Sequence, residues 1–520
     1  MKRSLISAVA ALLAWPALAQ PADQPRIGGT MTIVLNADIR STEPGINRDG
    51  NTDTVMHVVA ETLVAHRADL SVGPLLASRW VISEDGATYT FTLRAGARFH
   101  NGQPVTSEHV RWLWERRMGT NPAWPCKRIF TSRTLNVTAV EAPAPDTVVF
   151  RLQGPSAVFL PWLASPQCNF APVHPDSIGA DGAWRAPIAT GPYRLAEWRP
   201  GQFIRLERFA AYVPLEEESS GYAGARRAYL NEVRFRVIPD AAAAEAALYS
   251  GEVDLLTDLP ALRAQGARNR RMQVANIPGL GWNTLLLNTR DPLLRDVRVR
   301  RAIAHAIDRA AIAEARTGSA ANAGPSVVPR PSAFFGPEFE AWPAYDPARA
   351  RALLREAGYG GQVLRIQTNR RYDGMYESAV LVQAMLTAVG IRAELEVIDW
   401  ATQLERYQRG QFTLQAFSFS ARFDPSLMLG AFVGSKDEAA TAQWEDPRAI
   451  ELAAESGRVS DPGPRRATFL ELHRLMAEQV PIVGLYYDPS LEAWNPRIRG
   501  YRPWAANKPI VWGVWRADSR

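Results

Sequence analysis

VGPLLASRWVISEDGATYTFTLRAGARFHNGQPVTSEHVRWLW spans Val72–Trp114. Trp80 and Ile82 are two apart, so Ser78–Ile82 predicts a short strand with both side chains on one face. Ser83-Glu84-Asp85-Gly86 is turn chemistry, because glycine accepts the positive φ of a tight reversal. Beyond it, Tyr89, Phe91 and Leu93 alternate with Thr88, Thr90 and Thr92, a second strand that completes a hairpin. Asn101-Gly102 marks another turn. Thr106 is placed to cap a helix whose inner face is Val110, Leu113 and Trp114.

Leu75-Leu76-Ala77-Ser78-Arg79-Trp80, Ser83–Gly86, the Tyr89–Arg94 strand and Phe99-His100-Asn101-Gly102 follow one another at close spacing. This order resembles solute-binding protein family 5, the peptide- and nickel-type receptors of bacterial ABC importers. Where the family usually has an acid before the helix's first valine, His109 stands. That removes one complement to the helix dipole. A second resemblance lies in Ala189-Thr190-Gly191-Pro192-Tyr193 and the two strands around Pro200-Gly201, with Phe209 near the family's usual Asn. A third is DVRVRRAIAHAIDRAAI from Asp296, expected to form one amphipathic helix over Asp296–Ala313 with Asp308 in a surface ion pair.

The resemblance covers nearly the whole mature chain. It implies an α/β fold like that of type II periplasmic binding proteins: two α/β lobes, a hinge between them, and an extra subdomain inserted in the first lobe. The implied division is a signal peptide at 1–19, lobe I at 20–63, 189–275 and 484–520, the subdomain at 64–188, and lobe II at 276–483. Strands alternating with helices agree with this on physical grounds. Leu364–Thr368, a helix over Ser378–Ala388, and Ile391–Val397 form a βαβ pattern. The remaining expected elements include a helix over Asp53–Leu63 and strands over Gly281–Asn288 and Ile482–Tyr487.

The N-terminus reads as an export leader. Lys2 and Arg3 precede a short apolar run from Leu5 to Leu18, and Ala17-Leu18-Ala19 is a small-x-small cleavage site before Gln20. A periplasmic location follows. The formal charge of +6 over 520 residues is a mild excess, and clusters such as Arg298-Val299-Arg300-Arg301 read as solvated faces. Nucleic acid is not an expected partner. The expected partners are a small solute and the membrane permease subunits, and the receptor is expected to be a monomer. Cys126 and Cys168 are the two cysteines, and the oxidising compartment favours a disulfide over two free thiols. Such a bond would contribute about 3–4 kcal/mol by loop entropy.

Enzymatic chemistry has no support. No GxSxG, HExxH or GxxxxGK[ST] occurs, and the seven histidines are scattered without metal-ligand spacing. No metal or cofactor is expected. A secreted hydrolase, or a chaperone or haem-binding module on the same fold, are the alternatives to a receptor.

Candidate site residues cluster in the second lobe. Arg370 and Arg371 leave the end of the Leu364–Thr368 strand, where α/β lobes hold ligands. In dipeptide receptors of the family an Arg at a matching place holds the peptide carboxylate, and Arg370 fits it best. A guanidinium stays charged and grips a carboxylate through paired N–H bonds. The same receptors carry an Asp shortly before an Asp-Pro step, pairing with the peptide ammonium. Here Ala421 or Arg422 occupies that place, ahead of Asp424-Pro425. An ammonium buried without an anion is disfavoured. A ligand with carboxylates or phosphates, or a modified or opine-like peptide, fits better. Asp424 is expected to cap or turn the chain more than to bind an amine. Trp282, Trp400, Phe417 and Phe419 are candidate apolar walls, and Asn283 and Tyr372 candidate polar contacts.

Overall fold

Among the described residues, ten strands form one mixed sheet. The computed structural model describes residues 24–119, 124–132, 135–372, 374–506 and 508–517. The leader expected over 1–19 lies outside them. Across the sheet the order is Ala393–Val397, Leu364–Thr368, Leu414–Phe419, Gln273–Leu287, Ile482–Trp494, Leu255–Leu256, Thr30–Leu35, Glu232–Val237, Phe203–Arg208, Tyr193–Arg199. Each half has a parallel centre. Thr30–Leu35 runs parallel to Glu232–Val237, and Leu364–Thr368 runs parallel to both Ala393–Val397 and Leu414–Phe419. These parallel groups are the two lobes. The antiparallel pair Gln273–Leu287 and Ile482–Trp494 joins them.

Both joining strands are longer than their apolar cores predict. The expected strands over Gly281–Asn288 and Ile482–Tyr487 stop where Pro278-Gly279 and Asp488-Pro489 signal a break. The chain instead passes through in a bulge. Ile277 pairs with Ser490 and Gly281 with Asp488, so residues 278–280 oppose Pro489 alone. A Cβ on Gly279 would stand 1.7 Å from the Asp488 carbonyl oxygen, so only glycine fits this approach.

In the second lobe the strand is buried on both faces. Leu285 and Leu287 enter one core with Val299, Ile303, Ile366 and Leu414. Trp282 and Leu286 enter another with Trp400, Phe417 and Phe419. Two-sided burial is why this segment reads as an unbroken apolar run.

A separate antiparallel sheet runs Ala77–Ile82, Thr88–Leu93, Thr147–Leu152, Val137–Ala144. It contains the hairpin expected from the sequence, with Tyr89, Phe91 and Leu93 buried. Trp80 packs on the core, but Ile82, expected beside it, is 43% exposed. Ala77–Ile82 is an edge strand, and its last residues have no layer to pack against. Trp114, on the helix Ser107–Met118, meets Phe130, Phe150 and Phe170 edge-on. This core is continuous with that of the first lobe. The disulfide Cys126–Cys168 lies within it.

His109 does more than replace an acid. Its Nδ1 accepts a hydrogen bond from the Thr106 backbone N–H at 3.1 Å, completing a capping box with an imidazole. Burial, then the neighbouring His174, lowers its pKa and keeps that nitrogen free to accept.

Two expected helices are redrawn. Asp49, accepting from Thr52 N at 2.9 Å, starts a helix at Gly50–Val59 rather than Asp53–Leu63. The single helix expected over Asp296–Ala313 is two, Val297–Ala306 and Arg309–Thr317. Ile307 is extended, and Asp308 caps the second helix by accepting from Ala311 N at 2.9 Å. An Asp side chain offers the backbone this alternative to continuing the helix.

Replacing Gly279 with Ala should lower stability by about 1–3 kcal/mol through overpacking of the joining strands. Urea unfolding of the variant against wild type checks this, and an unchanged midpoint would remove the constraint placed on this bend.

Candidate functional site

Strand ends from both lobes open onto one cavity of about 930 Å³. Asn36 follows the strand Thr30–Leu35, and Ser420, Ala421 and Arg422 follow Leu414–Phe419. Two helices begin at its wall. Asp49 starts Gly50–Val59, and Asp399 starts Trp400–Arg409 by accepting from Thr402 N at 2.9 Å. The subdomain supplies a third wall through Cys126, Arg128, Ile129, Trp162 and Gln167.

The apolar lining comes mainly from the second lobe. Phe417, Phe419 and Trp400 all line the cavity, as expected, and Tyr407 joins them with its ring centroid 4.4 Å from that of Phe417. Tyr372 also lines it, edge-on to Trp400 with centroids 5.1 Å apart. Trp282 does not. It is fully buried behind the wall, donating Nε1–H to Gly324 O at 2.7 Å and stacking on Tyr487. Asn283 stands one step back from the cavity, donating to the lining carboxylate of Asp488 at 2.7 Å.

The charged candidates separate into three roles. Arg370 is exposed, away from the cavity, with its guanidinium 3.6 Å from the Tyr376 ring centroid. Arg371 bridges the lobes instead of lining the cavity. Its Nη2 donates to Asp49 Oδ2 at 2.8 Å and to the Asp38 carbonyl at 3.0 Å. Asn369 Oδ1, accepting from Arg371 N at 2.9 Å, turns the loop toward that contact. Asp424 is a capping residue, accepting from Ser426 N at 2.9 Å. It also takes two hydrogen bonds from the buried Arg465, at 2.7 and 2.8 Å.

Arg422 is the candidate that faces the cavity. Its Nη1 donates to the Ser420 and Ala421 carbonyls at 2.7 and 3.4 Å. Burial, then the charge of Arg48, pushes its pKa down to about 10. It therefore stays protonated at neutral pH, at a cost to the unliganded protein that an anion would remove.

Four further lining cations were not evident from the sequence: Arg40, Arg48, Arg128 and Lys508. Arg48 pairs with Asp53, which accepts from its Nε at 2.9 Å. Arg40 donates to Asn47 Oδ1, Arg128 reaches Thr441 Oγ1 at 3.5 Å, and Lys508 Nζ reaches Gly50 O at 3.0 Å. Burial lowers the Lys508 pKa. These residues lie on segments hundreds of positions apart, and no local pattern marks them. Among the described residues, no group of three or more His, Cys, Asp or Glu side chains could hold a metal. No helix among them is long and apolar enough to cross a membrane.

The comparisons agree with this architecture. Residues 71–440 match the family described as Bacterial extracellular solute-binding proteins, family 5 Middle. The glutathione-binding protein GsiB of Salmonella choleraesuis (strain SC-B67) is 26% identical over 466 residues, covering 86% of this chain and 88% of that protein. The periplasmic binding protein DppA of Helicobacter pylori, solved with the peptide STSA, superposes with a TM-score of 0.81 at 25% identity. That match covers 95% of this chain and 99% of that one. AgaA from A. tumefaciens R10, solved with agropinic acid, has the same fold. Its TM-score is 0.82 at 22% identity, covering 94% and 99% of the two chains. With a family match across most of its length and two lobes closing on a shared cavity, the chain belongs to the bacterial extracellular solute-binding proteins of family 5, the substrate-binding receptors of ABC importers.

Proposed function

We propose that this receptor captures an anionic, carboxylate-bearing solute of peptide-like size between its lobes and delivers it to the permease of its importer. One observation carries the reading. Arg40, Arg128, Arg422 and Lys508 line the cavity, and among the described residues none of them is in an ion pair with a carboxylate. Of the four lining carboxylates, Asp49 and Glu405 are held by Arg371 and Arg409, and Asp488 accepts from Asn283 Nδ2 at 2.7 Å; Asp258 is the fourth. A ligand carboxylate entering this cleft meets unspent donors, whereas a ligand ammonium meets the Arg422 charge.

The volume suits a ligand at the large end of small-molecule sites. The relatives supply candidates: GsiB is named for glutathione, DppA was solved with a peptide and AgaA with agropinic acid. In this reading the lobes, divided near residues 275 and 483, turn on the bulge at 278–280 and Pro489. The Arg371–Asp49 bridge holds them closed. The chain acts as an exported periplasmic monomer after loss of its leader, does no covalent chemistry, and binds no nucleic acid.

Native mass spectrometry of protein purified from a bacterial periplasm is expected to show a bound anion of roughly a few hundred daltons. A cationic or uncharged cargo would sink the reading. Arg422→Ala should weaken binding of that solute by at least about tenfold, as loss of a buried charge partner does. Arg370→Ala should leave its Kd unchanged by calorimetry. Asp424→Ala should cost about 3–5 kcal/mol of stability, because it strands the Arg465 charge. The surviving folded fraction should keep the wild-type preference for anions.

A further inference from the structure

We propose that one end of the cleft is a clamp for a doubly charged anionic group, made by Arg128 of the subdomain and Arg422 of the second lobe. This inference rests on the anionic-solute reading and narrows it. The preferred ligand ends in two negative charges on neighbouring oxygens, as in a pair of carboxylates or a phosphomonoester.

Arg128 lies in the short turn Lys127–Phe130, directly after Cys126. The disulfide ties this turn to Cys168, next to Gln167. Both tied segments reach the second lobe. Gln167 Nε2 donates to the Ala421 carbonyl at 3.2 Å, one residue before Arg422. Arg128 Nη2 reaches Thr441 Oγ1 at 3.5 Å, the outer limit of a hydrogen bond. Both guanidiniums line the one cavity, Arg128 from the subdomain and Arg422 from the second lobe. Tyr407 lies within electrostatic range of both and packs on Phe417.

Among the described residues, neither guanidinium is in an ion pair with a carboxylate. Arg422 spends its Nη1 on two carbonyls, and its buried Nε has no partner. Arg128 meets the Thr441 hydroxyl. A single carboxylate would leave one of the two guanidiniums uncompensated, and a dianion balances the pair. The arrangement also couples charge to closure. A dianion held by both guanidiniums bridges the subdomain and the second lobe.

Isothermal titration calorimetry with three probes tests this: acetyl-alanyl-aspartate, acetyl-alanyl-asparagine and acetyl-alanyl-phosphoserine amide. Wild type is expected to bind the aspartyl or the phosphoseryl probe at least about tenfold more tightly than the asparaginyl one. The tighter of the two names the dicarboxylate or the phosphomonoester as the natural group. In Arg128→Gln and Arg422→Gln, each with Tm checked against wild type, that preference should fall below about threefold. Equal binding of the dianionic and monoanionic probes by wild type overturns the clamp alone, as does an Arg128→Gln variant that keeps the preference. Binding of none of the three overturns the anionic-solute reading with it.

Discussion

Two antiparallel strands, Gln273–Leu287 and Ile482–Trp494, carry both lobes. Everything else hangs on their satisfying two demands. In the second lobe they must be buried on both faces, which requires the apolar run Leu285–Leu287 and the fully buried Trp282. At the junction they must bend without losing the ladder. The bulge at 278–280 provides the bend, and the Asp488 carbonyl sits so close that no side chain fits on Gly279. The lining carboxylate Asp488 lies on the same bend, so the joint and the cavity share a wall.

Electrostatics divides the cleft into groups that hold the protein and groups left over. Asp49 caps a helix with one oxygen and takes Arg371 from the opposite lobe with the other. Asp424 caps another helix and pairs with the buried Arg465. These carboxylates are committed to structure. Arg422 is not, and burying a guanidinium against carbonyls alone opposes folding of the empty form. Residues that cost stability in this way concentrate where ligands bind.

Local pattern made much of the fold legible. Alternation in Thr88–Leu93, turn chemistry at Ser83–Gly86, and the helix face Val110, Leu113, Trp114 all appear as expected. Local pattern failed where a side chain competes with it. Asp308 broke a helix that the apolar spacing ran straight through, and Asp49 moved a helix start. The site was half legible. Phe417, Phe419, Trp400, Tyr372 and Arg422 lie together at the cavity because they close or follow strands that end there. Trp282 shares their apolar character but sits on the far side of the wall.

What the sequence by itself determined is most of the elements, the two-lobed class, and the lack of an acid at Ala421 or Arg422, ahead of Asp424-Pro425. Periodicity, capping residues and ordered motifs are local, and local preferences survive into the folded state. Only the tertiary structure decided which of the candidate arginines faces the cavity. Arg370 and Arg371 are neighbours in one loop, yet one stacks on Tyr376 at the surface and the other spans the lobes. Arg128 and Lys508, from distant segments of the chain, line the same cavity. A charge's role depends on what else closes around it, and no spacing along the chain encodes that.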